Sequence, residues 1–149
     1  MVKNLKIYKD FNISRKFNNS IILIGNFDGL HIGHQKLFKI ARKYKLRKKL
    51  KLGVITFDPI PKMFFNPKFK NYRISNFNQK IEILKSYNID FIINKKFDKK
   101  FSKTKYTNFI KNVLYKKIKP RYIFVSDNFR FGNKRAVSYT HLRAHETSE

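Results

Sequence analysis

The stretch SIILIGNFDGLHIGHQKLF, residues 20–38, decides how the chain is read. Its opening, SIILIG (20–25), is a short β-branched apolar run that halts at a glycine, the pattern of a buried strand. Past the glycines the period changes. Leu37, Ile40, Ala41 and Tyr44 recur at helical spacing ahead of the basic stretch RKYKLRKKLK, which predicts an amphipathic helix. Strand, glycine-bounded turn and helix in direct succession make the first half of a β-α-β unit.

The same alternation continues down the chain. LGVITF (52–57) predicts a second buried strand, closed by Asp58-Pro59. Ser75 is a candidate N-cap for a helix whose stripe is Phe77, Ile81 and Leu84. DFIIN (90–94) predicts a third strand, and Tyr106, Phe109, Ile110 and Val113 a helix that ends before Pro120. RYIFVS (121–126) predicts a fourth strand. The expected class is α/β: a Rossmann-like parallel sheet, with right-handed crossovers placing helices on both faces. Ligands bind such sheets outside the carboxyl ends of the strands. Three polar segments fall there: GNFDGLHIGH (25–34), DPIPKMFF (58–65) and SDNFRFGNKR (126–135). They should converge on one rim.

Composition narrows the function. At 149 residues the chain suits one domain with a real core. No apolar run approaches a membrane span, and the start, MVKNLKIYKD, lacks an apolar signal core. A cytoplasmic protein with no membrane partner is expected. The absence of cysteine excludes disulfides, thiolate zinc sites and a cysteine nucleophile. The net charge of +26 would attract any polyanion. The lysines are spread over the whole chain, however, and Lys, Asn, Ile and Phe supply 76 of the first 136 residues. All four have codons writable in A and T alone, so the charge reads mainly as base composition, and nucleic acid is not the expected partner. The last 13 residues, VSYTHLRAHETSE (137–149), contain none of those four types. They read as a non-native tail similar to translated sequencing-adapter read-through, which leaves His141 and His145 without weight.

The chemistry concentrates in residues 25–34. Gly25 and Gly29 allow a tight turn and a close backbone approach to a ligand. The following helix begins near Ile32 to His34, so its free N–H groups and positive dipole end suit phosphate. His31 and His34 sit three apart across the first turn, both able to donate to a polyphosphate, with Gly33 between them permitting close packing. Against this, two histidines could be surface residues or a metal pair, although no third ligand is evident. Asp28 reads equally as a turn or N-cap aspartate or as a group that orients a ligand. Neither GxxxxGK[ST] nor GxGxxG occurs. The remaining acids offer no Ser-His-Asp set and no carboxylate pair. Phosphate chemistry carried by positioning and positive charge fits better.

GNFDGLHIGH contains the HxGH signature of the nucleotidyltransferase superfamily. Taken with TFDP (56–59) and SDNFRFG (126–132), it resembles the FMN adenylyltransferase domain of bacterial bifunctional riboflavin kinase/FAD synthetases over about residues 18–136. The resemblance implies the nucleotidyltransferase fold and the reaction of ATP with FMN to give FAD and pyrophosphate, with Mg²⁺ accompanying ATP and no covalent enzyme intermediate. It implies that His31 and His34 are catalytic, holding the ATP phosphates. Gly25, Asn26, Phe27, Asp28 and Gly33 would line the ATP site. Phe57, Asn128 and Arg130 would bind FMN or nucleotide, Phe57 alternatively being core, and Phe64 and Phe65 are further flavin candidates. No metal ligand is assigned to the protein.

Three departures accompany the resemblance. Ile60 stands between Pro59 and Pro61 where many relatives have His. After FGNKRA (131–136) the phosphate-binding Ile-Ser-Ser-Thr-x-x-Arg-type segment is missing, and so is the riboflavin kinase domain. The sequence is thus expected to be a truncated adenylyltransferase domain (1–136) with the tail attached. Two other readings stand beside it: an HxGH transferase for another acceptor, such as pantetheine phosphate or nicotinate mononucleotide, and a non-catalytic basic nucleic-acid-binding module.

Overall fold

The computed structural model describes residues 5–27, 32–58, 77–126, 130–131 and 137–138. A five-stranded sheet in the order β1-β4-β3-β2-β5, with every pairing parallel, forms its centre. The strands are β1 (Lys6–Tyr8), β2 (Ile21–Ile24), β3 (Leu52–Asp58), β4 (Phe91–Lys96) and β5 (Tyr122–Val125). The α/β parallel sheet expected from the sequence is therefore present, with one edge strand more than expected. β1 lies along β4, Ile7 opposite Ile92. Lys6 and Ile7 are exposed and Tyr8 is half-buried, and a strand that short carries no readable alternation.

Side-chain alternation along the strands splits the core into two layers. Ile21, Leu23, Leu52, Val54 and Ile92 face α1 (Ile32–Lys48) and α2 (Phe77–Ser86), which bury Phe38, Ala41, Ile81 and Leu84 against them. Ile22, Ile24, Ile55, Phe57, Phe91 and Ile93 face the other way. That second layer is closed by α3 (Lys99–Ser102), α4 (Tyr106–Asn108) and the π-type helix Phe109–Ile118. It is unusually aromatic: Phe17 stacks on Phe91 at 4.3 Å between ring centroids, and Phe57 on Phe101 at 5.7 Å. Most of the buried phenylalanines lie on this sheet face, with Phe27 and Phe38 on the other.

The helix over 32–48 differs from the expected stripe at one position. Ile40 is 46% exposed, and Phe38, fully buried, takes its place beside Ala41. The α1 helix ends where Lys45 reaches across to the buried Asp90 at 2.9 Å, whose carboxylate also accepts from the Leu52 N–H at 2.7 Å. Lys45 further donates to the Asn88 carbonyl. This one ion pair ties the helix end to the entries of β3 and β4. Among the described residues no helix is long and apolar enough to cross a membrane. The candidate N-cap Ser75 lies outside the described residues.

Candidate functional site

The strand order creates a single switch point. From β2 the chain crosses through α1 to β3 and through α2 to β4, all over one face. It then crosses over the opposite face and returns to pair β5 with the free side of β2, Ile24 opposite Val125. Open α/β sheets bind ligands in the crevice outside the carboxyl ends of the strands at such a switch point, which here lies beyond β2 and β5. Gly25 leaves β2 at this point and Ser126 leaves β5.

Space at the crevice is tight. The Gly25 N–H donates to the Ile55 carbonyl, and the Ser126 N–H to the Ile24 carbonyl, both at 3.1 Å. A Cβ on Gly25 would lie 2.7 Å from Ser126 Oγ and 2.8 Å from Phe27 Cζ. Glycine is required there by crowding. The conformational demand falls two residues later, on Phe27, which holds φ at 49°. A left-handed backbone at a bulky residue costs of the order of 1–3 kcal/mol, and such strain gathers at functional sites. What holds it is packing. The Phe27 ring is 1% exposed and meets Phe38 edge-to-face at 5.1 Å and His34 at 5.2 Å.

His34 and Gly33 belong to the first turn of α1. The unspent backbone N–H groups of that turn carry the positive end of the helix dipole. Contact with Phe27 restricts the half-buried imidazole and so fixes where its nitrogens lie. The loop is also braced from behind, since Thr56 Oγ1 in β3 donates to the Asn26 carbonyl at 3.1 Å. The Asn26 side-chain oxygen is buried and has no hydrogen-bond partner among the described residues. Leaving such an acceptor unpaired is costly, so it suits a ligand that brings a donor. Further along the same edge, an open cavity of about 370 Å³ is lined by Lys9, Asp58, Asn94 and Lys96.

Two of the expected site side chains are buried. Phe27, expected to line the nucleotide pocket, buries its ring in the α1 layer, so its contribution is to shape the loop and prop His34. Phe57, expected against a flavin ring or in the core, is fully buried beside Phe97 and Phe101. An odd position on a central strand under the second helix layer leaves its ring no open face. Gly25, Asn26, Phe27, Gly33 and His34 are brought together. Arg130 lies in β6 (Arg130–Phe131), which pairs antiparallel with β7 (Val137–Ser138). His31, Asp28, Asn128, Phe64 and Phe65 lie outside the described residues.

Sequence reading placed Ser126 and Thr56 in its motif segments without giving either a role, and it missed Lys80. The last is 5% exposed on α2, with its ammonium 3.2 Å from Thr56 Oγ1. Its spacing could have revealed it, three residues after Phe77 and beside Ile81 on the buried stripe. Among the described residues no group of three or more His, Asp or Glu side chains is placed to hold a metal ion.

Comparison with known proteins identifies the family. The FAD synthetase family model matches residues 13–149. The chain is 40% identical over 134 residues to a bifunctional riboflavin kinase/FMN adenylyltransferase of Buchnera aphidicola, covering 88% of this chain and 42% of that protein. A namesake from Haemophilus influenzae is 30% identical over 133 residues, covering 89% and 43%. The chain thus spans less than half the length of these relatives. A solved structure described as a macrolide-efflux protein from Streptococcus pneumoniae superposes with a TM-score of 0.77 at 22% identity, over 97% of this chain and 47% of that one, which speaks for the fold alone. With the family match running through nearly the whole chain, the protein belongs to the FAD synthetase family.

Proposed function

We propose that this domain transfers the adenylyl group of ATP to FMN, forming FAD and releasing pyrophosphate. The observation that carries the reading is the strained loop Gly25–Phe27, which sits at the topological switch point with His34 braced against it. Family membership supplies the substrates. In the reaction an FMN phosphate oxygen forms a bond to the α-phosphorus of ATP, and the bond from that phosphorus to the bridging oxygen of pyrophosphate breaks.

The chain's own residues act by position and charge. Gly25 makes room for Ser126 and the Phe27 ring at the sheet edge, the first-turn amides of α1 face the phosphates, and the Asn26 amide oxygen takes a nucleotide donor. His34, with His31 three residues earlier, donates to phosphate oxygens whose charge grows as pyrophosphate leaves. Asp28 and Gly33 complete the ATP side; Asn128 and Arg130 serve FMN, with Phe57 supporting from the core. Mg²⁺ would arrive with ATP and neutralise its phosphates.

Titration calorimetry with FMN and with ATP–Mg²⁺, followed by an FAD-formation assay on the full-length enzyme, tests this. His34→Ala should lower kcat by about 10²–10³, the usual loss when one donor to a developing oxyanion is removed, with the fold retained. Unchanged turnover would remove His34 from the chemistry. Failure to bind either nucleotide, alongside tight salt-sensitive RNA binding, would overturn the enzyme reading.

A further inference from the structure

The α2 helix buries Ile81 and Leu84 as its stripe requires, yet the same stripe buries Lys80. An ammonium taken out of water is costly unless its surroundings use the charge. A methionine would fill the same space without that cost. The side chain runs to the carboxyl end of β3, where Nζ lies 3.2 Å from Thr56 Oγ1. Thr56 is itself fully buried and donates its single hydroxyl proton to the Asn26 carbonyl at 3.1 Å. A hydroxyl with its proton committed can only accept, and an ammonium can only donate. The direction is therefore settled: Lys80 donates to Thr56, and Thr56 to Asn26. The endpoint is the carbonyl of the peptide that joins Asn26 to the strained Phe27.

We infer that Lys80 is a positioning residue for the nucleotide loop. Acting through Thr56, it pulls the Asn26 carbonyl inward, which turns the Asn26–Phe27 segment toward its left-handed geometry and seats His34. It also polarises that peptide from a fixed, buried charge. This assignment rests on the reading of Gly25–Phe27 as the ATP loop, so it predicts an effect on ATP and none on FMN.

The test compares Lys80→Met, Thr56→Val, Thr56→Ser and the Lys80→Met/Thr56→Val pair by calorimetry with ATP–Mg²⁺ and with FMN, together with thermal melts. Lys80→Met and Thr56→Val should each weaken ATP binding tenfold or more. Thr56→Ser should stay within about threefold of the parent, and the pair should be no worse than the weaker single variant because one relay is broken only once. FMN affinity should stay within twofold throughout. A purely structural lysine would lower the melting temperature and leave ATP affinity of the folded protein unchanged; that result overturns the inference. If Lys80→Met fails to fold, the Thr56→Val and Thr56→Ser contrast decides, and equal ATP affinity in those two overturns it. Absence of ATP binding by the unaltered protein would instead overturn the nucleotide reading itself, and this role with it.

Discussion

Replacing Gly25 with alanine adds one methyl group at the most crowded point of the crevice. The new Cβ would sit 2.7 Å from Ser126 Oγ and 2.8 Å from Phe27 Cζ, well inside the 3.4 Å at which ordinary contact begins. The two neighbours differ in what they can yield. Ser126 can rotate its hydroxyl away at little cost. Phe27 cannot, because its ring is held between His34 and Phe38 and its backbone is already left-handed. Overpacking a rigid site of this kind costs about 1–3 kcal/mol. Taking about 2 kcal/mol, the melting temperature of a chain this size should fall by roughly 4–8 °C. Urea unfolding of the parent, Gly25→Ala, Gly25→Ala/Ser126→Ala and Gly25→Ala/Phe27→Leu locates the cost. The Ser126 variant should recover less than about 0.5 kcal/mol, while the Phe27 variant should show a coupling of about 1 kcal/mol or more, as neighbouring residues do. ATP affinity should fall with Gly25→Ala because Phe27 carries His34. A Gly25→Ala protein within about 0.5 kcal/mol of the parent, or one fully rescued by Ser126→Ala, would refute the reasoning.

Other expectations concern the frame that holds the site. Gly53→Ala would put a methyl group into the buried Phe91 ring, which is stacked on Phe17; a loss of about 3 kcal/mol or more in urea unfolding is expected, above the usual overpacking range's midpoint. Asp90→Asn strips the charge facing the largely buried Lys45 and should cost about 3–5 kcal/mol, the range for breaking one side of a buried pair; Lys45→Met/Asp90→Asn should be less harmful than Asp90→Asn alone. Asp98 accepts the Phe101 N–H at 2.8 Å as N-cap of α3. That hydrogen bond, helped by Lys95 and Lys96, lowers its pKa below the usual 3.8. A lowered carboxylate pKa means the capping contribution is fully present above about 3.8 and disappears as pH falls through the lower folded value. The melting-temperature gap between the parent and Asp98→Ala should therefore narrow below pH 4; a constant gap would count against the cap.

Local pattern alone determined a good deal of this protein. The β-branched runs at 20–25, 52–57, 90–94 and 121–126 declare buried strands, since a strand covered on both faces has no need of polar alternation. The helices between them show in their spacing, and the glycines of residues 25–34 mark the turn between the first strand and its helix. Each of those signals comes from residues close together in the chain. Tertiary structure decided the rest, through contacts between residues far apart in it. Only the return of β5 to the side of β2 opens the crevice beyond Gly25 and Ser126. Only the aromatic layer beneath Phe57 removes its ring from the surface, and only packing against Phe38 and His34 holds Phe27 left-handed. Lys80 meets Thr56 across 24 positions and Thr56 meets Asn26 across 30. In sequence only its place on the Phe77, Ile81 and Leu84 stripe sets Lys80 apart from the other lysines. Its burial against a polar partner exists only once the helix is laid on the sheet, and that is what separates it from the lysines left in water.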